Sequence, residues 1–205
     1  MFFGMRLLYW ENNMKVEQYV MAYQAEQDRI RAILPNYFVS LRPVLRINCE
    51  ITNDSEKAEV EFNTAVEKDG VRGWLNIATF DTEKGITRDN GAVTIETDLL
   101  KIRFAPTGAK GGCPAEKDNG GCYFIEKGEV ALRPNEIITV NKEFCDCEFL
   151  WKTEGGTSGK SVGKSVPLFF EECKNVYPDK EFSLQNAACI ECKRVAGAYK
   201  VEFER

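Results

Sequence analysis

Histidine is absent from the 205 residues. Its absence excludes a Ser-His or Cys-His nucleophile and a His-ligated metal, and leaves proton transfer near neutral pH to a carboxylate, Lys, Tyr or Cys. A basic surplus is missing too: 27 Lys and Arg stand against 32 Asp and Glu, a net charge of −5, with the two signs interspersed. Nucleic acid and anionic membranes are therefore not expected partners. No apolar run reaches the ~18 residues that mark a membrane span. The opening MFFGMRLLYW is broken by Arg6, meets Glu11 and lacks a small-residue cleavage site, so the expected location is the cytoplasm. Residues 1–13 are expected to be a loosely held extension of a single domain covering 1–205.

What is present is cysteine, eight of them: Cys49, Cys113, Cys122, Cys145, Cys147, Cys173, Cys189 and Cys192. In a reducing cytoplasm these are thiols, and a buried free thiol behaves as a small apolar side chain. Alternation along FCDCEFLW puts Cys145 and Cys147 on one strand face with Phe149 and Trp151, the pattern of a core strand. Cys189 and Cys192 form a CxxC in a strand-like run, without the helix start that lowers the pKa of redox pairs. No cofactor is expected. A zinc site built from Cys113, Cys122 and one of these pairs is the alternative, although the eight-residue gap between Cys113 and Cys122 is not a knuckle spacing.

Helix formers in QAEQDRIRAIL predict a short helix ending before Pro35. Beyond Pro43 the period changes to two: Leu45, Ile47, Cys49 and Ile51 face one way, Arg46, Asn48 and Glu50 the other. Asp69-Gly70 joins two alternating runs as a tight hairpin, pairing Lys68 with Val71, Ala65 with Trp74, Asn63 with Asn76 and Glu61 with Ala78. Short strands are expected near 93–95, 99–104, 123–125, 129–132, 137–140 and 143–151. A capped helix over LFFEECKNV and two strands near 184–193 and 198–203 follow. The fold class is β-rich α+β, an antiparallel, barrel-like or strongly curled sheet with two or three short helices.

Two GKS triplets at 159–161 and 163–165 invite a P-loop reading. The Walker spacing needs glycine where Glu154 and Ser158 stand, so a Gly/Ser connection is expected instead. Lys110, in the glycine-rich stretch from Pro106 to Cys122, is a candidate catalytic amine, though an exposed lysine has no cause to become nucleophilic. The stronger constellation is the polar side of the ribbon: Arg46, Asn48, Glu61, Asn63, Trp74 and Asn76. On an open sheet such a face meets water. If the sheet curls, Arg46 can grip a carboxylate, the asparagine amides can orient it, and Glu61 can act as acid or base.

The segments DRIRAILP, PVLRINCEI and EVEFNTAVEKDGVRGWLNIATFD, within residues 15–81, resemble the acetoacetate decarboxylase-like superfamily. The resemblance implies a β-barrel-like domain, often in a homo-oligomer, with a central pocket for a small carboxylate or keto compound. Arg46 and Glu61 would be its pocket groups. The family's decarboxylases use a Schiff-base lysine beside a second lysine, and no adjacent lysine pair occurs here. The expected function is a small-molecule-binding β domain, its ligand anionic or carbonyl-bearing. An enzymatic form, a decarboxylase-like or other lyase, stays open, as do a cysteine-ligated zinc module and a non-catalytic protein-interaction domain.

Overall fold

The computed structural model describes residues 13–53, 55–82, 85–114, 120–161 and 181–205. The helix expected over LFFEECKNV, the second GKS, Cys173 and residues 1–12 lie outside these residues. In chain order the elements are β1 (Lys15–Gln24), α1 (Gln27–Ile33), β2 (Val39–Thr52), β3 (Glu59–Lys68), β4 (Val71–Asp81), β5 (Ile86–Asp89), β6 (Ala92–Glu96), β7 (Leu100–Lys110), β8 (Cys122–Glu126), β9 (Glu129–Arg133), β10 (Glu143–Trp151), β11 (Ser158–Ser161), α2 (Leu184–Ala188) and β12 (Arg194–Glu204).

The strands form one sheet in the order β5-β6-β7-β10-β12-β1-β2-β3-β4-β8-β9, with β11 beside β10. Three hairpins turn on two residues in the left-handed region, Asp69-Gly70, Asn90-Gly91 and Lys127-Gly128, the twist-matched geometry that selects Asn, Asp and Gly. The Asp69-Gly70 hairpin stands where the sequence placed it. The Asn90-Gly91 hairpin and β5 were not anticipated, because β5 is short and mostly exposed.

The sheet is mixed, not purely antiparallel, since β8 runs parallel to β4 with Trp74 opposite Cys122. Gly73 makes that approach feasible. A Cβ there would stand 2.6 Å from the Gly121 carbonyl oxygen, which accepts the Trp74 amide at 3.0 Å. Nor does the sheet close into a barrel, because its path ends on β5 at one side and β9 at the other. It does bend over its own apolar face. Phe62 of β3 and Trp151 of β10 have ring centroids 4.7 Å apart, although β12, β1 and β2 separate their strands. A flat sheet with strands about 4.8 Å apart would hold them roughly 19 Å from each other.

That inner face is the main core. Leu45, Ile47, Cys49 and Ile51 are all fully buried in it, as the period-two pattern predicts, together with Cys145, Cys147, Phe149 and Trp151. A smaller apolar cluster, Leu41, Val44, Ala65, Trp74 and Cys122, includes residues of the opposite face.

The hairpin register holds from Lys68–Val71 to Asn63–Asn76 and then slips: Glu61 faces Thr79 rather than Ala78, and Val60 faces Phe80. Ile77 is the inserted residue. A straight register would have turned Thr79 into the core and Phe80 to the polar side; the bulge reverses both. Phe80 then reaches Trp151, with ring centroids 6.3 Å apart.

Three further expectations are corrected. Residues 137–140 form no strand, and Ile137 is 85% exposed. Residues 184–188 are helix α2, capped by the Ser183 side chain accepting the Asn186 amide. Cys189 therefore caps a helix C-terminus, so the CxxC still lacks the helix start that redox pairs use. Gly159-Lys160-Ser161, expected as part of a Gly/Ser connection, belongs to strand β11, paired with β10.

Candidate functional site

The polar face of the central strands is a grid whose columns are strands and whose rows are cross-strand pairs. One row reads Ala22, Arg46, Asn63, Asn76, and the next Val20, Asn48, Glu61, Thr79. The β8–β9 hairpin, carried past β4 by the parallel pairing, stands against this face together with the loop from Pro134 to Ile138. Between them lies a cavity of about 630 Å³. Arg46, Asn48 and Glu61 line it from the sheet; Cys122, Phe124 and Arg133 line it from the hairpin; Glu136 and Arg205 are also in its wall.

Of the residues singled out by sequence, Arg46, Asn48 and Glu61 therefore meet in one cavity. Glu61 is half-buried and accepts a hydrogen bond from Asn48 Nδ2 at 3.3 Å. Trp74 and Asn63 act from behind the lining. The Arg46 guanidinium carbon lies 3.8 Å from the centroid of the Trp74 ring, a stack that fixes the plane of the cation. Asn63 is fully buried, and its Nδ2 contacts Cys122 Sγ at 3.8 Å. Asn76 is also buried and spends its Nδ2 on Thr79 Oγ1 at 2.6 Å. The buried Oδ1 atoms of Asn48, Asn63 and Asn76 have no hydrogen-bond partner among the described residues. Among them, the Asn48 acceptor belongs to a residue of the cavity wall and suits a ligand hydroxyl or amine.

Lys110 is not brought to this site. It is exposed at the end of β7, opposite Glu143 on β10, because β7 extends further into the glycine-rich stretch than its composition suggests. No lysine is among the described residues that line the cavity.

Cys122 is the centre on which the charges act. Burial and the Glu61 carboxylate push its thiol up to about 11, against the opposing pull of Arg46, Asn63 and Arg133. At neutral pH it is a neutral thiol and a poor nucleophile. Cys113 instead donates to the Thr139 carbonyl at 2.8 Å, and Cys189 to the Glu154 carbonyl at 3.1 Å. Among the described residues no three Cys, Asp or Glu side chains are grouped as metal ligands, so the thiols of the zinc alternative are not gathered at one point.

Arg205 closes one end of the site. It makes a two-point contact with Glu50 at 2.8 and 3.1 Å and also donates to Glu136 from Nε at 3.0 Å. These paired carboxylates raise its pKa further. The outcome is a tether between strand β2 and the 134–138 loop. The sequence offered no sign of it, because the parts come from three distant segments. Arg133 and Phe124 were missed for the same reason: nothing local says that β8 and β9 cross this face.

No family model and no curated protein matches the chain. Solved structures do. Acetoacetate decarboxylase from Legionella pneumophila aligns with a TM-score of 0.52 at 13% identity, over 98% of this chain and 89% of that one. An acetoacetate decarboxylase-like enzyme from Sphingomonas wittichii RW1 aligns at 0.45 and 11% identity, over 94% of this chain and 89% of that one. MppR, an enduracididine biosynthesis enzyme complexed with pyruvate, aligns at 0.46 and 8% identity, over 94% of this chain and 86% of that one. The acetoacetate decarboxylase-like fold implied by residues 15–81 thus extends over nearly the whole chain. The likeness is one of fold, and function has to be argued from the site.

Proposed function

We propose that this chain binds a small carboxylate or carbonyl compound in the cavity over the polar face of β2 and β3. The supporting observation is that Arg46, Asn48 and Glu61 line one cavity of about 630 Å³ from two paired strands. In this reading Arg46, held flat by Trp74, grips the ligand's carboxylate. Asn48 orients its polar groups, while Asn63 and Asn76 stiffen the wall behind. Chemistry, where it occurs, rests on Glu61 as acid or base. Lys110 is dropped as a catalytic amine, so a Schiff-base decarboxylase is not the form of enzyme we favour. Enclosure of the ligand by the curled sheet and its covering hairpin takes the place of a closed barrel. A cytoplasmic location accords with the free cysteines among the described residues; a homo-oligomer follows only from the resemblance.

The test is thermal unfolding with a panel of small keto acids, for wild type and Arg46→Ala. A ligand at a hundred times its Kd stabilises by about 2.7 kcal/mol, a rise of roughly 5–10 °C for a domain of this size. The rise is expected in wild type and not in Arg46→Ala. Equal rises would remove Arg46 from the account, and no rise with any compound would remove the site.

A further inference from the structure

The cavity holds the same device twice. On the sheet side the Arg46 guanidinium lies 3.8 Å over the Trp74 ring; on the hairpin side the Arg133 guanidinium lies 4.2 Å over the Phe124 ring. A guanidinium held over an aromatic face has less freedom left to lose when it takes a carboxylate. Arg46 comes from the central strand β2 and Arg133 from the edge strand β9, so the two approach the cavity from different walls. Cys122 stands between them: it is paired with Arg133 across β8 and β9, and its Sγ meets Nδ2 of Asn63, the cross-strand neighbour of Arg46.

The remaining charges narrow the choice of ligand. Arg205 is engaged by Glu50 and Glu136. Glu61 and Glu136 also line the cavity, and they disfavour negative charge except against a guanidinium. Arg133 is held by Glu126 through one terminal nitrogen, and both partners are about half exposed. Such a solvated pair is weak enough for a ligand carboxylate to compete with it. At about 630 Å³ the cavity has room for an acid longer than three or four carbons.

Resting on the reading above, we infer that the ligand is a short dicarboxylate, one carboxylate on Arg46 and the other on Arg133. Arg133 is then the residue that sets selectivity between diacids and monoacids.

The experiment is calorimetric titration of wild type, Arg133→Met, Arg133→Lys and Glu126→Gln with α-ketoglutarate and α-ketovalerate, which differ only in the terminal carboxylate. Wild type is expected to bind the diacid roughly tenfold or more tightly than the monoacid, the usual worth of a charge-assisted pair. Arg133→Met brings the ratio to about one by weakening the diacid alone, and Arg133→Lys keeps part of it, because charge survives without the stacked fork. Glu126→Gln releases Arg133 from competition and raises the diacid preference; it serves as the test should Arg133→Met fail to fold. Equal affinities in wild type overturn the inference, as does a preference that survives Arg133→Met. If the monoacid binds and Arg46→Ala abolishes it while the diacid has no advantage, the inference falls alone. If neither compound binds, the proposed function falls with it.

Discussion

Glu17 shows how one buried charge is made tolerable. It lies on the core side of β1, where burial opposes its ionised form. The Arg88 guanidinium, at 2.8 and 3.0 Å, and the Tyr19 hydroxyl, at 2.8 Å, outweigh that penalty and hold its carboxyl below the ordinary range. Glu17 is thereby the anchor for β5, which otherwise exposes most of its length. Removing Arg88 leaves a buried carboxylate short of its main partner, so Arg88→Ala is expected to destabilise by about 2–3 kcal/mol. A depressed folded-state pKa stabilises fully above the unfolded value and is lost as pH falls through the folded one. The gap in urea stability between wild type and Glu17→Gln should therefore be widest near pH 7 and shrink below about pH 4. A gap independent of pH would show that the charge is not what matters. None of this pairing is visible in sequence, because Glu17 and Arg88 sit on strands that meet only when the sheet bends.

At the scale of elements, the alternating pattern from Leu45 to Ile51 and the Asp69-Gly70 turn were legible because both are written within a single hairpin's reach. Arg46, Asn48 and Glu61 could be placed on one face for the same reason. The bulge at Ile77 was not legible: the choice between Thr79 and Phe80 for the core is made by Trp151, far along the chain. Lys110 was misplaced because glycines suggested a loop where β7 continues against β10. The strand expected at 137–140 is the other correction: Ile137, Ile138, Thr139 and Val140 are all β-branched strand formers, yet they lie in a loop that pairs with no described strand. Its attachment is specific, through Arg205 to Glu136 and Glu50. Arg205→Gln is expected to raise amide exchange in residues 134–142 severalfold, with exchange in the core strand β3 unaltered. Unchanged exchange in that loop would mean that its own packing, not the tether, keeps it in place.

At the scale of the molecule, the sheet has two faces with different work. One is folded over Phe62, Trp151 and the buried thiols to form the core. The other is left polar and covered by a hairpin that β4 admits through Gly73 and Gly121. The likeness to acetoacetate decarboxylase, at 13% identity, is one of fold, and a shared fold does not carry function. A second groove, of about 430 Å³, runs beside β11 with Lys101, Arg103 and Lys160 in its walls; it is the natural rival for an anionic ligand. Backbone amide shifts followed by NMR during titration with a small keto acid decide between them. With the ligand in the cavity over β2 and β3, the perturbed amides cluster at residues 46–48, 61–63, 122–124 and 133–138. Perturbations centred on 101–103 and 158–160, or none at saturating ligand, would contradict that placement.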